Sequence, residues 1–428
     1  MIAGEVEKRS MNTAITKIST LLLAEGANTL ASIIATVVLP IVALIHFHAT
    51  PIEIGILGAA STGAPLLFGL SAGVWADRYD LRAVLSWCGY VRIALMLAVP
   101  VSLTLGFLNI YMLCCVGFGI SAIRLLYDAS MSVAVPCSVP REQLTRANGW
   151  MEAVASVSQV VGPSVAGLLV RFTWISAPFI LAGAIYGACT MLVRRATKDV
   201  VRTGGTEPHE SHLVEIVRGV KLLWNSEIQR VIAICAASFN IFHTAFFTVF
   251  TIFAIRDLHL DASALGVVLS AIGVLGLLGA VGADKISRSL GVRTALVASL
   301  AMIGPLGLPI LFADRLEVPY RMTLVAVCLG TWDFAIVVHL VMEQTLRQLS
   351  VPVDQLSRIA ATTRFVSWGA DPLGALLGGL AAGTTMGHKG TLLLCVIGMS
   401  LSGLGLLASR GIRSLSYDPR SDVSVEPS

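Results

Sequence analysis

The chain has 428 residues, of which 55% are hydrophobic and only 13% charged. A soluble domain carries roughly 25% charged residues, so most of this surface must face something other than water. The net charge of +4 is spread through short loops and gives no footprint for a nucleic-acid partner.

Residues 1–17 are polar, show no signal-peptide cleavage pattern, and run directly into an apolar stretch. A helix needs about 20 apolar residues to cross the hydrocarbon core. Helices are the expected elements, because lipid offers the backbone no hydrogen-bond partner. Suitable runs lie near 18–46, 53–75, 83–104, 109–132, 150–171, 176–193, 229–255, 264–283, 294–313, 321–343, 361–384 and 389–409. The fold class expected is therefore an all-α membrane protein with twelve transmembrane helices. One long polar segment, 194–228, separates spans six and seven and reads as a cytoplasmic linker. Within it, Leu213, Ile216, Val217, Val220 and Leu223 recur at helical spacing and predict an interfacial helix over 212–224. The tail from 411 is polar. The chain thus divides into a bundle at 1–193, the linker at 194–228, a bundle at 229–410 and a tail at 411–428.

Orientation follows from Lys and Arg. With both termini cytoplasmic, only Arg171, Arg256, Arg315, Arg321 and Lys389 fall outside, while Arg92, Arg124 and Arg364 lie within spans. All the other basic residues collect on the side of the termini. The eight cysteines sit in apolar runs or beside cytoplasmic loops, with neither metal-ligand spacing nor a disulfide framework.

The two bundles repeat. Val139-Pro-Arg-Glu-Gln-Leu-Thr-Arg146 returns as Val351-Pro-Val-Asp-Gln-Leu-Ser-Arg358, 212 residues on. At that offset Gly162 maps to Gly374, Gly167 to Gly379 and Asn28 to Asn240. An offset near half the length marks two homologous six-helix halves, which in secondary transporters pack around a central substrate path.

A charge at membrane depth costs about 2.5–3.5 kcal/mol on insertion scales, so those that persist face a partner or a wet cavity. The candidates are Glu25, Arg92, Arg124, Asp128, Glu152, Asp333, Arg364 and Asp371. Arg124 and Asp128, four apart, share a helix face. With Glu152 and Arg364 they form either an ion-pair network that locks a cytoplasmic gate or a proton-exchange site with a basic partner. Glu25 has no basic residue near in sequence. A carboxyl desolvated in that way suits reversible protonation, as does Asp333 beside Trp332. The proton-coupling candidates are therefore Glu25, Asp128, Glu152, Asp333 and Asp371, with Arg92, Arg124 and Arg364 as charge partners. In span seven, Phe239, Phe242, Phe246, Phe250 and Phe253 recur at helical spacing, with Asn240 and His243 on a neighbouring face. The stripe is either lipid contact and packing or an aromatic wall for an amphipathic substrate. In the second case Asn28, Asn240, His243, Phe246 and Trp332 line the cavity.

After span two comes Gly73-Val-Trp-Ala-Asp77-Arg78-Tyr-Asp-Leu-Arg82, which resembles the signature loop of the major facilitator superfamily; Asp80 and Leu81 stand where the family has Gly and Arg. A weaker copy, Gly282-Ala-Asp284-Lys-Ile-Ser-Arg288, occupies the equivalent place in the second half. Span five carries Gly149, Ser158 and Gly162-Pro163-Ser-Val-Ala-Gly167, similar to that superfamily's antiporter motif with Ser158 and Ala166 replacing glycines. Gln344–Gly379, together with Pro140–Asn148, resembles the enterobactin-exporter and macrolide-efflux branch. The resemblance implies proton-driven export of a siderophore or antibiotic-like molecule by a monomer in the bacterial inner membrane. Gly73, Asp77, Arg78 and Arg82 would serve as gating loop, and Gly162, Pro163 and Gly167 as antiporter motif.

No phosphate loop, nucleophile elbow or metal-ligand cluster is present, so neither an enzyme, a metal nor a cofactor is expected. With no Walker-type motif the energy source is a gradient. Uptake of a small metabolite is the alternative, and a transporter-like membrane sensor a more distant one.

Overall fold

The structure, a computed structural model, describes residues 2–69, 80–138, 144–172, 174–198 and 212–409. The first half comprises α1 (Ile2–His46), α2 (Pro51–Thr62), α3 (Ala64–Phe68), α4 (Leu81–Thr104), α5 (Ile110–Ser138), α6 (Leu144–Phe172) and α7 (Ala177–Ala196). The linker helix α8 (His212–Asn225) follows. The second half comprises α9 (Glu227–Arg256), α10 (Ala262–Leu290), α11 (Val292–Ala301), α12 (Ile303–Gly307), a 3-10 segment (Leu308–Arg315), α13 (Val318–Ser350), α14 (Val353–Trp368), α15 (Asp371–Ala382), α16 (Gly387–Ser402) and α17 (Leu404–Ala408). Gly73, Asp77 and Arg78 of the predicted gating loop lie outside the described residues, as do residues 199–211 of the linker and the whole tail.

Local chemistry sets the boundaries. Thr50 and Glu53 form a reciprocal capping box ahead of α2, with Pro51 in the first turn where its missing N–H costs nothing. Asp80 accepts from Ala83 N at 2.8 Å and caps α4, which gives a structural reason for an Asp where the superfamily loop carries Gly. Ser226 caps α9 and Asp261 caps α10 in the same way. Gly291, at φ +77°, adopts the backbone that turns α10 into α11.

Eleven helical segments among the described residues are long and apolar enough to cross a membrane. The run at 361–384, expected to be one continuous span, is instead split: α14 ends at Trp368, Gly369 and Ala370 intervene, and α15 restarts with Pro372 in its first turn. The two pieces occupy the place of the eleventh span, the one run missing from that count. Proline supplies no N–H to the preceding turn, so carbonyls there lose their helical partner. Beside the break, Asn240 Nδ2 donates to Ser367 O at 2.9 Å, which also accepts from Ala370 N at 3.3 Å. Thr244 Oγ1 donates to Asp371 Oδ1, also at 2.9 Å, in the first turn of α15 where a carboxylate is favoured.

Each half has its own apolar core. The second half's is continuous and takes in Ile41 and Val37 from α1. The first half's is in two parts, one around Ala31–Leu57 and one around Leu21, Tyr127 and Val193. Between the two parts lies a polar layer containing Glu25, Asn28 and Arg92.

Candidate functional site

The end of the molecule farthest from the termini is a closed seam between the bundles. A Cβ built at Gly167 in α6 would lie 2.2 Å from Ala262 O, and one at Gly266 in α10 would lie 2.4 Å from Pro163 O. The second half repeats this crossing with roles exchanged: a Cβ at Gly379 in α15 would lie 2.6 Å from Pro51 O and 2.7 Å from Gly55 Cα in α2. The other glycine of each repeat packs inside its own bundle. Gly162 abuts Ile33 of α1, and Gly374 abuts the backbone of Ile241 in α9. The 212-residue offset is thus a pseudo-twofold in the packing, with one glycine per repeat seating a helix in its bundle and the next closing the seam. Proline at 163 leaves α6 unbroken, in contrast to the split at 369–370.

Polar contacts reinforce the seam. Ser164 N and Oγ both meet Ser270 Oγ, at 3.1 and 2.7 Å. Arg171 reaches Asp261 Oδ2 and Ser263 Oγ, each at 2.8 Å, and Arg256 donates to Ala49 O at 2.6 Å. Lys389 pairs with Asp314 at 2.6 Å, Arg321 donates to Leu258 O and Leu316 O, and Arg315 lies over the Phe312 ring. The five exceptions to the basic-residue bias therefore all sit at this end, each held by a local contact. Burial works against ionisation of Asp261. The Ala264 N–H, the Ser263 hydroxyl and the Arg171 guanidinium outweigh it and hold the carboxyl below the usual carboxylate range. A carboxyl lowered in this way contributes stability above its ordinary value of about 3.9 and loses it as pH falls through the lowered one, so the latch is fully engaged at neutral pH. Both partners are half-exposed, so the pair is worth under about 1 kcal/mol. We expect Asp261→Asn to raise labelling of a cysteine placed at Ser164 by an impermeant thiol reagent only about two- to fivefold.

In the first half, Arg92 is 1% exposed and its guanidinium lies between the rings of Tyr127 (4.6 Å) and Tyr186 (5.2 Å). It donates to Asn28 Oδ1, while Nε and Nη2 have no partner among the described residues. Asn28, expected in a substrate cavity, is buried and committed to this guanidinium. Glu25 sits one turn earlier, accepts from Thr29 Oγ1 at 3.3 Å, and is in electrostatic range of both Arg92 and Asp128. Arg124 and Asp128 pair at 3.5 Å as their spacing requires, and Arg124 also lines a small polar pocket with Ser32, Thr36, Ser61 and Ser121. The four-membered network with Glu152 and Arg364 does not form among the described residues. Glu152 is exposed without an ion-pair partner there, and Arg364 belongs to the other bundle.

The second half encloses a cavity of about 390 Å³ between α9, α13 and α14, with Phe239, Asn240, His243, Arg364 and Trp368 in its wall. Phe246 and Trp332, expected to line a cavity, are instead core: they are essentially fully buried, with ring centroids 4.5 Å apart, and Phe250 stacks on Phe246. Asn240 and His243 do reach the cavity, though the amide donor of Asn240 is spent on Ser367 O and His243 lies between Phe239 and Phe247. Asp333 makes no hydrogen bond or ion pair among the described residues and abuts Gly276 of α10, whose missing side chain makes the space. The ion pair Glu343–Arg347, also in the cavity wall, escapes the sequence reading. The hydropathy window ends at residue 343, whereas α13 continues to Ser350. The signal that finds it is the i,i+4 spacing of opposite charges at the end of an apolar run.

Two homologous helical bundles that meet along a seam, with polar cavities beside it, define a multi-pass membrane protein. The sequence profile of the Major Facilitator Superfamily matches residues 21–370, and the chain belongs to that superfamily. Multidrug efflux pump Tap of Mycolicibacterium fortuitum is 27% identical over 268 residues, covering 61% of this chain and 62% of Tap. Macrolide efflux protein A of Enterococcus faecalis is 26% identical over 145 residues, covering 33% and 45%. The uncharacterised transporter YceJ of Bacillus subtilis is 22% identical over 264 residues, covering 61% and 64%. The chain thus matches less than two thirds of the length of each of these three relatives. In fold it is similar to a bacterial homologue of the iron transporter ferroportin in its inward-facing state, with a TM-score of 0.74, 15% identity and coverage of 92% and 98%. A point mutant of the nucleoside transporter NupG aligns with a TM-score of 0.73, 10% identity and coverage of 92% and 99%.

Proposed function

We propose that this transporter is a secondary exporter of a small amphipathic molecule, siderophore- or antibiotic-like. It exchanges its cargo for protons by alternating access across the bacterial inner membrane, with both termini cytoplasmic. The observation that carries the reading is the seam itself. The Gly162–Gly167 stretch that resembles an antiporter motif forms one of the two inter-bundle glycine crossings, and its repeat copy forms the other. Such crossings are tight yet free of side-chain interdigitation, so two rigid bundles can part there. With the termini inside, the closed seam faces outward and the substrate path is entered from the cytoplasm. Efflux relatives support the direction of transport. Glu25 and Asp333, carboxylates at membrane depth with no ion-pair partner among the described residues, are the proton carriers of this reading; the other acids, Asp128, Glu152 and Asp371, are secondary candidates.

The test is transport into everted membrane vesicles of a panel of siderophores and macrolides, with and without an uncoupler. Export by exchange gives accumulation driven by an acid interior and abolished by the uncoupler, whereas uptake gives none. The double variant Glu25→Gln, Asp333→Asn should lose at least tenfold of the proton-driven rate; undiminished proton-driven transport would remove both residues from the coupling role.

A further inference from the structure

We propose that the cavity between α9, α13 and α14 binds an organic anion bearing a flat aromatic portion. Three charged side chains line it: Glu343, Arg347 and Arg364. Glu343 and Arg347 pair across one helical turn, with side chains only about one tenth exposed, so their charges cancel within the wall. Arg364 is left over. Its guanidinium lies 6.0 Å from the Trp368 ring on the same helix and has no carboxylate among the described residues. Arg364 is exposed rather than buried, so its charge is free to meet an anionic ligand that enters the cavity.

Two further observations point to an acceptor-rich guest. Ser367 Oγ and Arg347 Nε both belong to the cavity wall, are buried, and have no hydrogen-bond partner among the described residues. Buried polar groups are normally paired, and a carboxylate or phenolate oxygen beside Arg364 satisfies such donors. The remaining wall is aromatic: Phe239 stacks on His243 at 5.4 Å, and Trp368 stands beside Arg364. His339 is tied through Nδ1–H to Leu296 O at 2.9 Å, and His243 is held between two phenylalanines. A volume near 390 Å³ falls within the roughly 300–1,000 Å³ that holds small organic ligands. A cationic drug of the same shape would set like charge against Arg364, so the site selects by repulsion as well as attraction.

This inference rests on the chain carrying a small molecule, but its test is binding and is independent of direction. The full-length protein in lipid nanodiscs is titrated calorimetrically with three probes of one shape: 2-naphthoate, 2-naphthamide and 2-naphthylmethylammonium. Naphthoate is expected to bind at least tenfold more tightly than either of the others. Arg364→Gln should weaken naphthoate at least tenfold and leave naphthamide within twofold, which also reports an intact cavity; Arg364→Lys should restore part of the loss. Equal affinity for the three probes, no naphthoate binding up to millimolar concentration, or naphthoate affinity unchanged in Arg364→Gln overturns the proposal. Naphthoate that binds through Arg364 yet is not moved outward by vesicles leaves the site standing and removes the export reading.

Discussion

Gly167→Val should reduce transport by about two orders of magnitude while leaving the protein folded and inserted. The argument is steric. The first added carbon falls 2.2 Å from Ala262 O and 3.2 Å from Gly266 Cα, and both are backbone atoms of a helix in the other bundle. Backbone cannot rotate away as a side chain can, so the clash is relieved only by parting α6 from α10, which opens the seam. Most of each half's apolar core lies within its own bundle and keeps its packing, and this is why folding should survive. A cycle that must close the seam then lacks one of its states. Removing about 2.7 kcal/mol from that state corresponds to the hundredfold loss, since each 1.36 kcal/mol is tenfold. Gly149→Ala is the control within the same helix and the same motif. A methyl there meets nothing within 4 Å among the described residues, and alanine is the better helix former. It should transport within twofold of the parent. Proteoliposome transport, together with impermeant thiol labelling of a cysteine placed at Ser270, decides the matter. Labelling should rise sharply in Gly167→Val and not in Gly149→Ala; equal transport in the two variants defeats the argument.

The seam was legible in the sequence because it is written twice. Gly162 with Gly374 and Gly167 with Gly379 are matches that hydropathy alone does not supply, and the structure converts them into equivalent crossings. Arg124–Asp128 was legible for a local reason, the i,i+4 geometry of one helix. What escaped was anything that depends on a partner distant in the chain. The helical stripe through Phe246 and Phe250 marks a face of α9, but periodicity does not say whether that face meets a cavity, lipid or Trp332 of α13. Asn28 and Asn240 are equivalent in the repeat, yet one serves a guanidinium 64 residues away and the other a carbonyl beside the split at 369–370. The split itself was hidden because Gly, Ala and Leu keep the run apolar on both sides of Pro372.

Asn28→Leu should be strongly destabilising, and Arg92→Met should rescue it. Arg92 is a fully buried cation whose one hydrogen-bond acceptor among the described residues is Asn28 Oδ1. The tyrosine rings on either side offer their π faces, and Glu25 lies in electrostatic range without a hydrogen bond to it. Taking away the acceptor leaves a buried, charged donor unsatisfied, at a cost of about 3 kcal/mol or more. With unfolding of the first half as the cooperative step, that lowers the melting midpoint on the order of 10 °C. Arg92→Met alone removes the charge, keeps an unbranched side chain, and leaves a neutral amide short of one donor, a penalty of about 1–3 kcal/mol. Replacing both partners joins the two apolar clusters that the polar layer now separates. The double variant should therefore melt above Asn28→Leu, although it has one more native group missing. Thermal unfolding of the four proteins in one detergent gives the cycle directly. A double variant no more stable than Asn28→Leu would mean that the cost lies in the shape of the Asn28 site, and that Glu25 and the two rings suffice to hold the Arg92 charge.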